Sequence, residues 1–309
     1  MKKALFLIGS VALLLVIGAL YYIPLSEPKE VCRALVQWDG GAAGWRLDHP
    51  MDLAWGGGFL YVADTENGAV KKFRDDGTLV AEWKGFKRPV DVAIFGDAIY
   101  VADFLTDRIV RLRSDGTVTA EWGRYGTGAG QLDAPSGIAV DGDGNVYVAE
   151  FYNHRISKFT ADGKFVARWG KDGRWNGQFH YPTDVTVAPD GTVFVADAYN
   201  QRIQRFTAQG IYLGKWGGIG YGISGPWLGW FRLAKAVAVD ATGHVYVADA
   251  FNRRIQKFSS AGDVLGVWAK DRPDEPQELN YAAGVAVGAD GIVYVSDFFE
   301  NRILKLDCR

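Results

Sequence analysis

The chain has 309 residues, 48% apolar and 23% charged, with a formal net charge of −2. That balance excludes bulk disorder, supplies ample material for a core, and argues against nucleic acid as the main partner, which would call for a basic surface. Glycine (39) and tryptophan (11) are abundant, a mixture suited to short twisted strands joined by tight turns, while histidine (4) and cysteine (2) are scarce.

In chain order, the first element is an uncharged apolar run from Ala4 to Ile23, preceded by Lys2 and Lys3. A helix of about twenty residues spans roughly 30 Å, the thickness of the hydrocarbon core, and the run outlasts the usual signal-peptide core. Residues 1–23 are therefore read as an uncleaved signal anchor, a single transmembrane helix, with a cleaved signal peptide as the alternative. The lysines stay cytoplasmic, Tyr21 and Tyr22 suit the far interface, and the rest is exported to the periplasmic or extracellular side. Residues 24–30 form a linker too short to let the following domain, 31–309, move far from the bilayer.

From residue 31 onward the chain repeats. Six segments align: "LYVADTENGAVKKF", "IYVADFLTDRIVRL", "VYVAEFYNHRISKF", "VFVADAYNQRIQRF", "VYVADAFNRRIQKF" and "VYVSDFFENRILKL". Their acids, Asp64, Asp103, Glu150, Asp197, Asp249 and Asp297, are 39, 47, 47, 52 and 48 residues apart, the length of a propeller blade. Each unit resolves into four strands: one such as "DVTV", a Gly-containing turn, a consecutively apolar strand such as "VYVA", a loop, "RIQKF", a second turn, and a last strand carrying tryptophan. Consecutive apolarity fits strands sandwiched on both faces. The tryptophans, Trp38, Trp83, Trp122, Trp169, Trp216 and Trp268, are read as packing between blades.

These segments, "YVADAYNQRIQRF" and its relatives, resemble NHL repeats over residues 31–309. The resemblance implies an all-β, six-bladed propeller. As to function it implies several classes, among them peptide binders, RNA binders, which export and charge disfavour here, sensor domains of membrane proteins and a few metal-dependent lyases.

Ring closure follows from the repeat alignment. The sixth unit stops at Cys308 without a tryptophan strand, whereas "VCRALVQWDG" near the N-terminus is such a strand with no blade of its own. Aligned with complete units, Cys32 and Cys308 flank the missing hairpin turn. The expectation is a closing strand at residues 32–38 paired with the last blade, a Cys32–Cys308 disulfide in place of the turn, and an oxidising compartment.

Five of the six acids have an arginine five residues later (Arg108, Arg155, Arg202, Arg254, Arg302), and repetition in nearly every blade marks a structural pair. Blade 1 departs from this: Asp64 faces Ala69. Asp52, Asp91 and Asp184 stand at the start of first strands near one mouth of the channel, where they suit a calcium ion or a cationic ligand. The alternative is that they cap loop into strand. "DGDGN" at 141–145 has Tyr152 where a calcium loop needs a bidentate Glu, and reads as a turn. His154 and His180 fall in neighbouring loops, His49 in the loop entering blade 1 and His244 on the opposite face, which makes no zinc set. No nucleophile with its base is present, and no catalytic residue is assigned.

The longer loops share one face and are rich in aromatic residues. Phe151, Tyr152, Tyr199 and Phe251, together with Trp227 and Trp230 in the longest insertion, are the candidate rim, with packing of the loop rings between blades as the alternative, and with Asp52, Asp64, Asp91 and Asp184 they form the candidate ligand site. The leading reading is a non-enzymatic, membrane-anchored binding propeller that recognises a peptide, a protein subunit or a small ligand on this face. The alternative is a metal-dependent lyase or hydrolase at the acidic channel mouth.

Overall fold

The computed structural model describes residues 32–41, 43–218, 225, 227–269, 279–288 and 291–308. The anchor and linker assigned to residues 1–30 and much of the longest insertion lie outside them. Among the described residues no helix is long and apolar enough to cross a membrane.

Among the described residues twenty-four strands form six four-stranded sheets, and in each the pairing is antiparallel and follows chain order except in the last. The first strands of successive blades are neighbours all the way round, the sixth lying back against the first. Second strands such as Val193–Asp197 are buried at every residue, because each is covered by a blade on both faces. Outermost strands such as Phe165–Trp169 alternate between half-buried and exposed residues, as one covered face requires.

The sixth sheet shows how the ring closes. Its outermost strand is Arg33–Trp38, which pairs antiparallel with Arg302–Asp307, from Arg33 opposite Asp307 to Trp38 opposite Ile303. Cys32 and Cys308 are disulfide-bonded across the gap.

The tryptophans explain why that gap has to be filled. Trp83 lies over the outer-turn Gly116 of the next blade, Trp122 over Gly163, Trp169 over Gly210, Trp216 over Gly262, and Trp38, contributed by the N-terminal strand, over Gly77. These glycines have positive φ and no room for a side chain: a Cβ on Gly116 would lie 2.4 Å from the Trp83 ring. Trp268, whose next blade lacks this turn, is buried with Cys32 and Cys308 in one cluster. The disulfide thus replaces the turn both as a covalent link and as a packing surface.

Because the bridge joins residues 276 apart in sequence, the chain-entropy model gives it about 5.6 kcal/mol of stabilisation. Denaturant unfolding of the oxidised protein against a Cys32→Ser/Cys308→Ser variant is expected to show a loss of several kcal/mol, with early loss of amide protection in residues 33–38. Equal midpoints would contradict a closing role.

Candidate functional site

Each second strand ends in a carboxylate with no exposure to solvent: Asp64, Asp103, Glu150, Asp197, Asp249 and Asp297. In five blades the arginine opposite it supplies the charge, at 2.6 Å for Arg155 Nε to Glu150, 2.6 Å for Arg202 Nε to Asp197 and 2.7 Å for Arg254 Nε to Asp249. Arg108 and Arg302 do the same for Asp103 and Asp297. The guanidinium also holds the loop that leads into its blade. Arg202 donates to the carbonyls of Arg174, Trp175 and Gln178, and Arg254 to those of Trp227 and Trp230. Asn200 bridges Asp197 to the Gly173 carbonyl in the same way.

Asp64, a candidate ligand residue in sequence, belongs to this structural set instead. Lys71 Nζ lies 2.5 Å from its Oδ2. Lys71 stands seven residues after the acid, the position from which Ser157, Gln204 and Gln256 reach their own carboxylates, so a neighbouring inward position replaces the absent arginine. Asp64 also accepts the Asp48 N–H and an Asn67 amide hydrogen, which leaves it closed to a ligand.

Asp52, Asp91 and Asp184 do converge. One carboxylate oxygen from each lies within 4.8 Å of the others, and all three side chains are buried at the head of a channel of about 180 Å³. Burial pushes Asp184 up to about 7. It also raises Asp52 and Asp91 well above the ordinary carboxylate range, helped by Asp184 at Asp52 and by both other carboxylates at Asp91. Lys235, which precedes the equivalent position of blade 5, favours the charged forms of Asp52 and Asp184. Lys235 escaped the sequence reading, although it is the one cation at its register position, occupied elsewhere by Met51, Val90, Ser136, Thr183 and Ala283.

Above the carboxylates, on the long-loop side, a cavity of about 270 Å³ is lined by Met51, Arg88, Phe104, Phe151, Tyr152 and Lys235, among others. Phe151 is the hub of an aromatic cluster, with ring centroids 4.7 Å from Tyr181, 5.0 Å from Tyr152, 6.0 Å from Phe104 and 6.1 Å from Tyr199. Phe251 belongs to a second cluster, with Tyr281, Phe298 and Phe299. Trp227 and Trp230 do not border the mouth. Their carbonyls are tied to Arg254, and Gly229 between them packs against Val264 in the outermost strand of blade 5, so this pair sits over the outer half of the blade.

His154 and His180, separate in sequence, stack with centroids 5.6 Å apart, and His180 Nδ1 is 2.9 Å from Asp172. Their grouping invites a metal, but His154 Nδ1 is already occupied, accepting the Tyr181 N–H at 3.0 Å. The same inter-blade bond is made by Asp107 to Ala134 N–H, by Gln201 to Leu233 N–H and by Asn301 to His49 N–H. His154 is thus the imidazole version of a repeated structural acceptor.

Residues 132–159 and 179–206 match the NHL repeat. Among curated proteins no relative matches the sequence. Similar solved structures include streptogramin B lyase, 15% identical over 85% of this chain and 94% of that one with a TM-score of 0.59. A gluconolactonase from Xanthomonas campestris is 16% identical over 85% and 87%, with a TM-score of 0.66. Virginiamycin B lyase from Staphylococcus aureus with quinupristin is 15% identical over 92% and 100%, with a TM-score of 0.58. At these identities the likeness shows the propeller fold alone.

Two outcomes follow. Lys71→Met strands a buried carboxylate and should cost about 3–5 kcal/mol in chemical denaturation, most of it recovered in Asp64→Asn/Lys71→Met; no recovery would assign the loss to packing. His154 is held below its ordinary value, first by burial. The unfolded chain then takes up the proton more readily, so this group's contribution is present above about pH 6.5 and is lost as pH falls below it. His154→Asn, which copies the acceptor that blade 6 uses at Asn301, should flatten that part of the stability profile between pH 7 and 5, and superimposable profiles would refute the assignment.

Proposed function

We propose that the chain is an exported binding propeller, tethered by its N-terminal segment, that takes a small ligand or the end of a peptide or protein chain at the long-loop mouth. The observation that carries this reading is the cavity of about 270 Å³ set between the Phe151 cluster and the three buried carboxylates. A concave apolar wall with a few convergent polar groups is the usual form of a small-molecule site. Lys235 and Arg88 beside it suit an electron-rich group on the ligand, and the exposed Tyr152 and Tyr199 widen the apolar rim.

A metal-dependent lyase or hydrolase is the second reading, favoured by the carboxylate ring with Lys235 at its edge. The structural likeness to lyases and to a gluconolactonase supports it as much as it supports binding. In either reading the disulfide fits an oxidising compartment, the periplasmic or extracellular side.

Ligand-observed NMR with a library of small aromatic acids, amines and lactones tests both readings. Hits are expected to weaken by about tenfold or more in Phe151→Ala, where the half-buried aromatic hub of the mouth is lost, and to persist in Trp227→Ala. Turnover of lactones or esters that Lys235→Met abolishes would promote the second reading. Hits indifferent to Phe151 would remove the mouth from both. For the tether, the full chain should partition with membranes and a chain starting at residue 31 should not, while equal partitioning would exclude the anchor.

A further inference from the structure

Six equivalent positions circle the head of the channel: Asp52, Asp91, Gly137, Asp184, Ala236 and Gly284. Asp91 pairs with Ala102, Gly137 with Ala149, Asp184 with Ala196, Ala236 with Ala248 and Gly284 with Ser296. Carboxylates fill three of the positions, and the smallest residues fill the other three. That room is needed, since a Cβ on Gly137 would come within 2.5 Å of Asp184 Cα, and one on Gly284 within 2.4 Å of Asp52 Oδ1.

Backbone amides hold the carboxylates in place. Oδ1 of each accepts the N–H of the next residue, Leu53 at 2.8 Å, Val92 at 2.6 Å and Val185 at 2.6 Å. Oδ2 of Asp91 takes the Ile138 N–H and Oδ2 of Asp184 the Val237 N–H, each from the blade that carries a small residue. Asp52 departs from this pattern: it is 3% exposed, the Val285 N–H after Gly284 faces its carboxylate, and its Oδ2 is still left without a well-formed hydrogen bond. Among the described residues none of the three carboxylates is in an ion pair. Three buried negative charges with one oxygen unpartnered are costly unless a cation or protons compensate them.

We propose that Asp52, Asp91 and Asp184 form a binding site for a hard divalent cation, calcium or magnesium, at the head of the channel. The donor set is oxygen only, which disfavours zinc. With an oxygen of each carboxylate within 4.8 Å of the others, a single cation with metal–oxygen bonds of about 2.1 to 2.4 Å can reach all three. Positions left open toward the mouth are available to water or to an oxygen of a bound ligand. This deepens the reading of the mouth as a binding site, but it rests on the ring alone and can hold or fail whether or not the cavity above takes a ligand.

The test uses the full chain in detergent, stripped with chelator and titrated calorimetrically with calcium, magnesium and zinc salts in turn, with thermal melting in parallel. One equivalent of calcium or magnesium should bind at or below about 1 mM and raise the melting temperature. Asp52→Asn is the mildest variant, because the altered oxygen makes no hydrogen bond. It should fold, bind at least about tenfold more weakly and lose the melting shift. Asp143→Asn, at the opposite mouth, should bind as wild type. If Asp52→Asn fails to fold, Asp184→Asn and the wild-type melting shift carry the decision. No binding of calcium or magnesium at about 10 mM, binding of zinc alone, or equal binding by Asp52→Asn and wild type would each overturn the proposal.

Discussion

The carboxylate that ends each second strand is withdrawn from water at a cost of several kcal/mol, and its surroundings are arranged to offset that cost. One cation from the following strand is not enough, because a carboxylate has about four acceptor sites. Asp197 shows the full complement: the His180 N–H at 2.7 Å, the Asn200 amide, Arg202 and the Gln204 amide. The His180 N–H comes from the loop that enters the blade, and Arg202 binds three more carbonyls of that loop. A single buried charge therefore fixes both the loop inside the blade and the loop that reaches it from the blade before. Without the cation the carboxylate would be stranded, and the entering loop would lose its anchor.

Neighbouring blades are joined by this loop anchoring, by the tryptophan that covers the next blade's turn glycine, and by hydroxyls such as Ser136 and Thr183, which donate to carbonyls of the following blade. All are nearest-neighbour contacts, so the ring has one weak place, where the chain ends meet. There the N-terminal strand brings Trp38 to blade 1, and the disulfide fills the space under Trp268. Closure is thus the same inter-blade interface made from two distant pieces of chain.

The fold is legible in sequence because the blades repeat their constraints. The acid recurs in all six units, the arginine five residues on and the turn glycine in five of the six, and the piece that the sixth unit lacks points to the disulfide. The site was legible only where it, too, used a repeated position. Asp52, Asp91 and Asp184 could be read because they share one register place. Lys235 stands one residue earlier than that place, and its relation to the carboxylates depends on the curvature of the ring. Asp64 was misassigned because its partner had moved two residues along the same strand, from the position of Ala69 to Lys71, a shift that keeps the side chain on the same face. Trp227 and Trp230 share a face with the mouth, but strand order gives the face of a loop and not its radius. Only the carbonyl bonds to Arg254 put them over the outer half of the blade.

The head of the channel differs from every other inward position in what a substitution there does. Second-strand side chains are enclosed by two blades, so a change of volume or charge disturbs packing on both sides. A first-strand residue at the ring position meets its counterparts across an open axis, and its backbone is held by the strand whatever side chain it carries. Charge can accumulate there without breaking a blade, provided that small residues leave room for the charged ones, as Gly137, Ala236 and Gly284 do. The long-loop end also brings the Phe151 cluster over this position, whereas the opposite mouth is bordered by tight turns bearing Asp141, Asp143, Asp190 and Asp240. Chemistry is therefore confined to one end of the axis by the same strand order that makes one set of loops long and the other short.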